Sequence, residues 1–151
     1  MPDYFLIFDV KEKIIIGRLE RVDFPDLHLN NIDAKVDTGA YSSSLHCHHI
    51  EKIDKSGIAF VRFNLLDPEH PAYNEKEFML PLFDQRRVRS SNGSIQERLF
   101  ISTTLILCDL SFDVELSLSD RTEMRYPVLL GRKFLRHQFV VDVAKKYTYE
   151  I

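Results

Sequence analysis

The chain reads as an all-β domain, and three observations carry that prediction. Its eleven Phe and six Tyr, with many Val, Ile and Thr, fall in short runs, and only five Gly interrupt 151 residues. β-Branched and aromatic side chains suit a pleated, half-buried surface. Residues 111–119 place Phe112, Val114, Leu116 and Leu118 at every second position, the period of a strand with one wet face. Only one stretch, 132–137, has helical character, and it is short.

Along the chain, residues 17–22 and 58–66 read as strands. Residues 67–71 read as a loop, because Pro68 and Pro71 each remove a backbone donor. The β-branched and aromatic run 99–107 is a further strand, and a turn at 108–110 joins it to 111–119 as a hairpin. After Val128-Leu129-Leu130-Gly131 comes the helix at 132–137, then a last strand at 139–143 and a C-terminal segment 147–151. No repeat or low-complexity linker divides the chain.

A hydrophobic content of 44% in 151 residues is enough to bury a core, and this length predicts a single domain, 1–151, without room for two lobes. Twenty Lys+Arg against 23 Asp+Glu provide neither a basic stripe for nucleic acid nor an acidic tail. The N-terminal residues have no basic leader, and no apolar run is long enough to cross a membrane. A cytoplasmic protein is expected. Cys47 and Cys108 are too few for a disulfide framework or a paired-cysteine zinc site, so both are expected to be free buried thiols.

The chemistry concentrates at Asp37-Thr38-Gly39, where an alternating strand delivers one carboxylate onto a glycine turn. An aspartic peptidase needs two carboxylates about 3 Å apart sharing one proton, because like charges so close cannot both ionise. This triplet occurs once. A second copy of the chain would therefore have to supply the other acid, which predicts a homodimer. Asp37 would carry the proton chemistry, Thr38 would hydrogen-bond across to the partner, and Gly39 would permit the tight turn and close approach. The same three residues also arise by chance in ordinary strand-to-loop turns.

Val36 before the triplet and Ala40 after it match the apolar-Asp-Thr-Gly-Ala form of the retropepsins. Val128-Leu129-Leu130-Gly131-Arg132 resembles their second element, an aliphatic-Gly strand that threads behind the catalytic loop. Between the two, Ser91-Asn92-Gly93 is a hairpin-tip sequence with an Asn-Gly turn signal. Gly93 precedes Gly131 by 38 residues, close to the retropepsin distance from flap tip to aliphatic-Gly element, whereas 55 residues separate Asp37 from Asn92. The excess locates an insertion at about 47–78.

The blocks 35–40, 42–46, 89–93 and 118–132 together resemble a bacterial and archaeal family long labelled ATP-dependent zinc proteases and grouped with the retropepsins by fold. The resemblance implies a closed-barrel-like acid-protease fold. It implies peptide-bond hydrolysis by Asp37, Thr38 and Gly39, with Ala40, Ser91, Asn92 and Gly93 against a peptide or protein substrate. It also implies a context beside or fused to an ATP-grasp glutamate ligase. One departure stands out. Viral retropepsins carry an acid where this chain has Tyr41, so Arg132 is left without the carboxylate it would pair with.

Two rival readings remain. His46-Cys47-His48-His49 invites a metal, but zinc hydrolases use three ligands with an open position, and no His-Glu-x-x-His helix occurs. We expect no metal and no cofactor, and a zinc-dependent hydrolase ranks last. No Gly-x-x-x-x-Gly-Lys-Ser/Thr loop is present to hold a triphosphate. The main alternative to catalysis is a silent retropepsin-fold module that binds peptide or protein. Arg86-Arg87-Val88-Arg89 reads as a solvated charge run that could also attract a glutamate-rich peptide.

Overall fold

The structure, a computed structural model, describes residues 12–66, 70–73, 75–89, 93–120 and 125–149. In chain order the strands are β1 (Ile14–Ile16), β2 (Leu19–Phe24), β3 (Leu29–Val36), β4 (Ser43–Lys55), β5 (Ile58–Leu65), β6 (Glu77–Pro81), β7 (Asp84–Arg89), β8 (Ile95–Leu107), β9 (Leu110–Ser119), β10 (Val128–Leu130) and β11 (Phe139–Val141). A 3-10 turn at Pro25–Leu27 and the helix α1 (Arg132–Leu135) complete the described elements. The all-β prediction holds. No helix of the described residues is long and apolar enough to cross a membrane.

The main sheet runs β10-β3-β2-β8-β9-β4, and β10 pairs with β4 as well, so the order returns on itself as a ring. Inside it lie Phe24, Ile32, Leu45, Ile101, Leu105 and Leu116, all fully buried. β5 and β6 extend from the outer half of β4, and β7 hangs on β8. The stretch 47–78, where an insertion was expected, therefore contributes the antiparallel β4–β5 hairpin and leads into β6. β4 bends within it: the register shifts between His48 and Glu51, where His49 takes a left-handed φ of 52°, the signature of a bulge.

The β8–β9 hairpin is tighter than expected. Only Cys108 and Asp109 form its turn, both at positive φ (57° and 60°), and Leu110 already pairs with Leu107. Two successive positive φ values match the right-handed twist of the flanking strands. The helix is shorter than 132–137, because Arg136 is extended and His137 is left-handed (φ 73°). The last strand stops at Val141, since Asp142 starts a turn by accepting from Ala144 N at 3.0 Å.

The alternation in β9 is only half a wet face. Asp113 is exposed, but Ser117 and Ser119 are 1% and 7% exposed. β8 and β4 pair with the two edges of the C-terminal half of this strand.

The C-terminal segment is bound to β2 by a buried acid. Glu20 is 1% exposed, and its two carboxylate oxygens accept from Gly17 N (2.7 Å) and Thr148 N (2.8 Å). Nearby, Tyr147 N donates to Leu19 O and Arg18 N to Lys145 O. A Glu20→Gln substitution would turn an amide NH₂ toward one of those N–H donors. We expect it to cost about 1–3 kcal/mol, read as a lower thermal midpoint. An unchanged midpoint would mean the segment is held by other contacts.

Candidate active site

β3 delivers Asp37 by strict alternation. Ile32, Ala34 and Val36 point into the core, while Lys35 is exposed and Asp33 half-buried. The chain then turns through 37–42 and re-enters the sheet as β4. β10 threads between these two strands. It pairs parallel with β3 (Leu130 opposite Val36) and antiparallel with β4 (Leu129 opposite Ser44). The aliphatic residues of β10 serve because this inserted strand is covered on both sides; Val128 and Leu130 are fully buried.

β10 and α1 hold the loop by its backbone. Asp37 N donates to Leu130 O (2.9 Å), Arg132 N to Ala40 O (2.8 Å) and Lys133 N to Tyr41 O (3.0 Å). Gly131 N donates to the buried Ser43 hydroxyl at 3.0 Å. The Asp37 carboxylate is steadied by its own turn, with Oδ1 accepting from Gly39 N at 3.0 Å. Gly39 does not use a left-handed conformation. Its contribution is room, because a Cβ there would meet Asp37 Oδ1 at 3.3 Å.

Arg132, expected to lack its carboxylate, has substitutes. Its Nη1 donates to Thr38 O at 3.0 Å, and its guanidinium lies 5.8 Å from the centre of the Tyr41 ring, with that of Arg136 at 5.9 Å. A ring face attracts cations at this range. Tyr41 thus presents a ring face, in place of a carboxylate, to two guanidinium groups.

Asp37 opens onto a cavity of about 470 Å³ lined by Arg18, Lys35, Ser44, Ser119 and Arg125 as well as Leu19, Val36, Tyr126 and Leu129. Three cations and three hydroxyls, those of Ser44, Ser119 and Tyr126, thus share a cavity with one carboxylate. None of these cations and hydroxyls was assigned to the site from the sequence, although Lys35, Ser44, Ser119, Arg125 and Tyr126 fall within the blocks 35–40, 42–46 and 118–132. Lys35 was reachable, being the outward residue two before Asp37 on an alternating strand. Arg18 and Arg125 come from distant segments. Ser119 had been read as solvent-facing, and its burial in this cavity corrects that reading.

Of the other residues expected at the site, Ala40 is half-buried on the loop, and Thr38 and Gly39 are exposed. Ser91 and Asn92 lie outside the described residues. Gly93, at the end of the β7–β8 hairpin, has φ 87°, the backbone that the Asn-Gly signal anticipates. It does not line the Asp37 cavity.

In the histidine run, His46 is buried and His48 half-buried, with ring centroids 5.1 Å apart and nearly perpendicular. His49 turns outward on the bulge, where its Nδ1 meets Asn64 Oδ1 at 3.0 Å. Among the described residues, no three His, Cys, Asp or Glu side chains converge as a metal would require. Burial, with the charge of Asp120, pushes the Cys47 thiol well above its ordinary range. Burial also raises half-buried Cys108, to about 12. Neither is poised as a thiolate ligand or nucleophile.

A ring of strands with an Asp-Thr-Gly loop braced by an aliphatic-Gly strand defines a retropepsin-like protein. The chain belongs to the RimB-like family, described as retropepsin-like aspartic endopeptidase RimB, which it matches over residues 15–150. It is 35% identical over 139 residues to a probable alpha-L-glutamate ligase of Shewanella halifaxensis, covering 89% of this chain and 30% of that protein. A protein of the same description from Desulfotalea psychrophila is 34% identical over 140 residues, covering 90% and 29%. The chain thus spans under a third of the length of these curated relatives. A crystal structure of a Legionella pneumophila protein of unknown function matches with a TM-score of 0.76 and 27% identity, over 92% of this chain and all of that one.

Proposed function

We propose that this chain is an aspartic endopeptidase whose site forms when two copies bring their Asp37 carboxylates together. The observation that carries this reading is the Asp37 loop: a carboxylate held by Gly39 N, on a turn pinned at Asp37, Ala40 and Tyr41 by β10 and α1. Such rigidity suits a group that must meet a reacting carbonyl within a fraction of an ångström. The exposed Thr38 and Gly39 leave this loop free to face a second copy. Ile15 and Val140, opposite each other on the small β1–β11 sheet, also expose apolar surface to such a partner.

In the shared dyad one carboxylate is ionised and the other protonated. The ionised one takes a proton from a water whose oxygen bonds to the scissile carbonyl carbon, while the protonated one gives its proton to the carbonyl oxygen. When the tetrahedral carbon collapses, the C–N bond breaks, the nitrogen leaves with the dyad's proton, and one hydroxyl on that carbon returns its proton to the dyad as the carbonyl re-forms, so the dyad again holds a single proton.

Arg18, Lys35 and Arg125 around Asp37 favour a peptide with acidic side chains. The glutamate ligase description of the longer relatives supports a glutamate-rich peptide, and a ligase of that kind as a partner. Two free cysteines fit a reducing cytoplasm. The non-catalytic binding module is the second reading, favoured by Tyr41 standing where an acid would hold substrate backbone.

Dilution tests the shared site. Specific activity on a glutamate-rich peptide should fall as the protein is diluted and light scattering reports monomer. A monomer with unchanged specific activity would defeat the shared dyad. An oligomer that binds the peptide without ever cutting it would favour the binding module.

A further inference from the structure

We propose that Glu115 is a positioning residue that couples the β7–β8 hairpin to the loop carrying Asp37, acting through Lys133 and α1. Only its effect on turnover rests on the aspartic-peptidase reading; the mechanical link does not.

Glu115 sits on β9 and holds two cations from different elements. Its Oε1 accepts from Arg86 Nη2 on β7 at 2.9 Å, and its Oε2 pairs with Lys133 Nζ on α1. Lys133 is also the residue whose backbone N–H holds Tyr41 O, and its neighbour Arg132 holds Ala40 O and Thr38 O. One carboxylate therefore joins the hairpin to the helix that pins the catalytic loop. Arg86 is well fixed for this task. Its Nε donates to Asp84 Oδ2 at 2.6 Å, and its guanidinium lies 4.3 Å from the centre of the Phe100 ring.

The link is polar rather than packed. A cavity of about 280 Å³ lies where hairpin, helix and loop meet, bordered by Ser42, Phe83, Arg86, Glu115, Lys133 and Phe134. With a void in place of a tight apolar contact, the angle of the hairpin base depends on the ion pairs. Within the sheet β7 is paired to β8 alone among the described residues, and its side-chain link to β4, Lys52 Nζ to Gln85 Oε1, is exposed. The Glu115 side chain is 22% exposed, against 77% and 57% for the neighbouring Arg87–Glu97 pair, so solvent screens it less. Burial acts to raise its carboxyl, but hydrogen bonds from Lys133 and Arg86 outweigh this and hold it below the ordinary range.

Amide hydrogen exchange in the intact protein tests the coupling. Arg86→Met changes only the hairpin end, yet exchange at the Arg132 and Lys133 amides should rise by roughly threefold or more, as expected for groups in one network. In a Glu115→Gln background, which keeps the side-chain shape and removes the charge, Arg86→Met should add nothing. Arg62→Gln, which breaks an exposed pair on β4–β5, serves as the control and should leave those amides unchanged. An equal response to Arg86→Met in both backgrounds, or none in either, would overturn the proposal. If Glu115→Gln does not fold, Lys133→Met provides the second background with the same criteria. In turnover, Glu115→Gln should lower kcat/KM about tenfold, with part of the loss in kcat. A wild-type protein that never cleaves would count against the peptidase reading alone, because the exchange measurement needs no cleavage. An active enzyme whose amides ignore Arg86 would count against the coupling alone.

Discussion

Asp37→Asn should abolish peptide cleavage while leaving the fold in place. The carboxamide oxygen of Asn can still accept from Gly39 N, so the turn that positions the side chain loses little. What disappears is the group that takes and returns the proton. Since general acid–base catalysis contributes up to about 10⁴-fold, kcat should fall by roughly 10³-fold or more. The expected stability change is under about 1 kcal/mol, or a few degrees in thermal midpoint for a chain of this size. In a two-copy site the effect also has a mixing signature. One Asn in each pair breaks the shared-proton arrangement, so inactive variant added to wild type and allowed to exchange should lower activity beyond simple dilution. Cleavage that survives in a clean variant preparation would remove the aspartic mechanism.

Gly131→Ala should damage both stability and activity, although Gly131 has no side chain to transfer a proton. Gly131 has φ −95° and ψ 177°, a backbone any residue adopts, so glycine is not required for conformation. Space requires it. A Cβ would sit 2.6 Å from Ser42 O and 2.7 Å from Tyr41 O, where the returning loop crosses the end of β10. Those atoms are backbone, so the loop must move. Overpacking of this kind costs about 1–3 kcal/mol, and a shift near 1 Å at a catalytic group costs about 10²-fold in rate. Gly57 provides the contrast. It has open space around it and φ 83° in the β4–β5 turn, so Gly57→Asn, which tolerates left-handed backbone, should be nearly silent. A Gly131→Ala protein with wild-type melting and turnover would show that the loop is not held as tightly as its hydrogen bonds indicate.

The elements legible in the sequence are those set by neighbouring residues. Alternation in 111–119, the β-branched run before it and the turn between them yield the β8–β9 hairpin, because side-chain period and local turn chemistry act over a few residues. The three isoleucines of β1 are β-branched, but a run of three is too short to show a period. They form a strand only because β11, more than a hundred residues later, lies parallel beside them. Likewise the helical stretch was evident, but its end at Leu135 depends on His137 turning left-handed as the chain leads back toward β1.

For the site, Asp37-Thr38-Gly39 and the aliphatic-Gly segment were readable because their chemistry lies in contiguous residues. That β10 passes between β3 and β4 is a property of the closed ring, as are the approach of Arg18 and Arg125 to Asp37 and the burial of Ser119. The Tyr41 substitution shows the same division. Sequence alone revealed a missing carboxylate beside Arg132, whereas only the fold revealed the Thr38 carbonyl and the Tyr41 ring that replace it. Periodicity reports which face of a strand is apolar; which distant groups reach that face is decided by how strands pair across the whole chain.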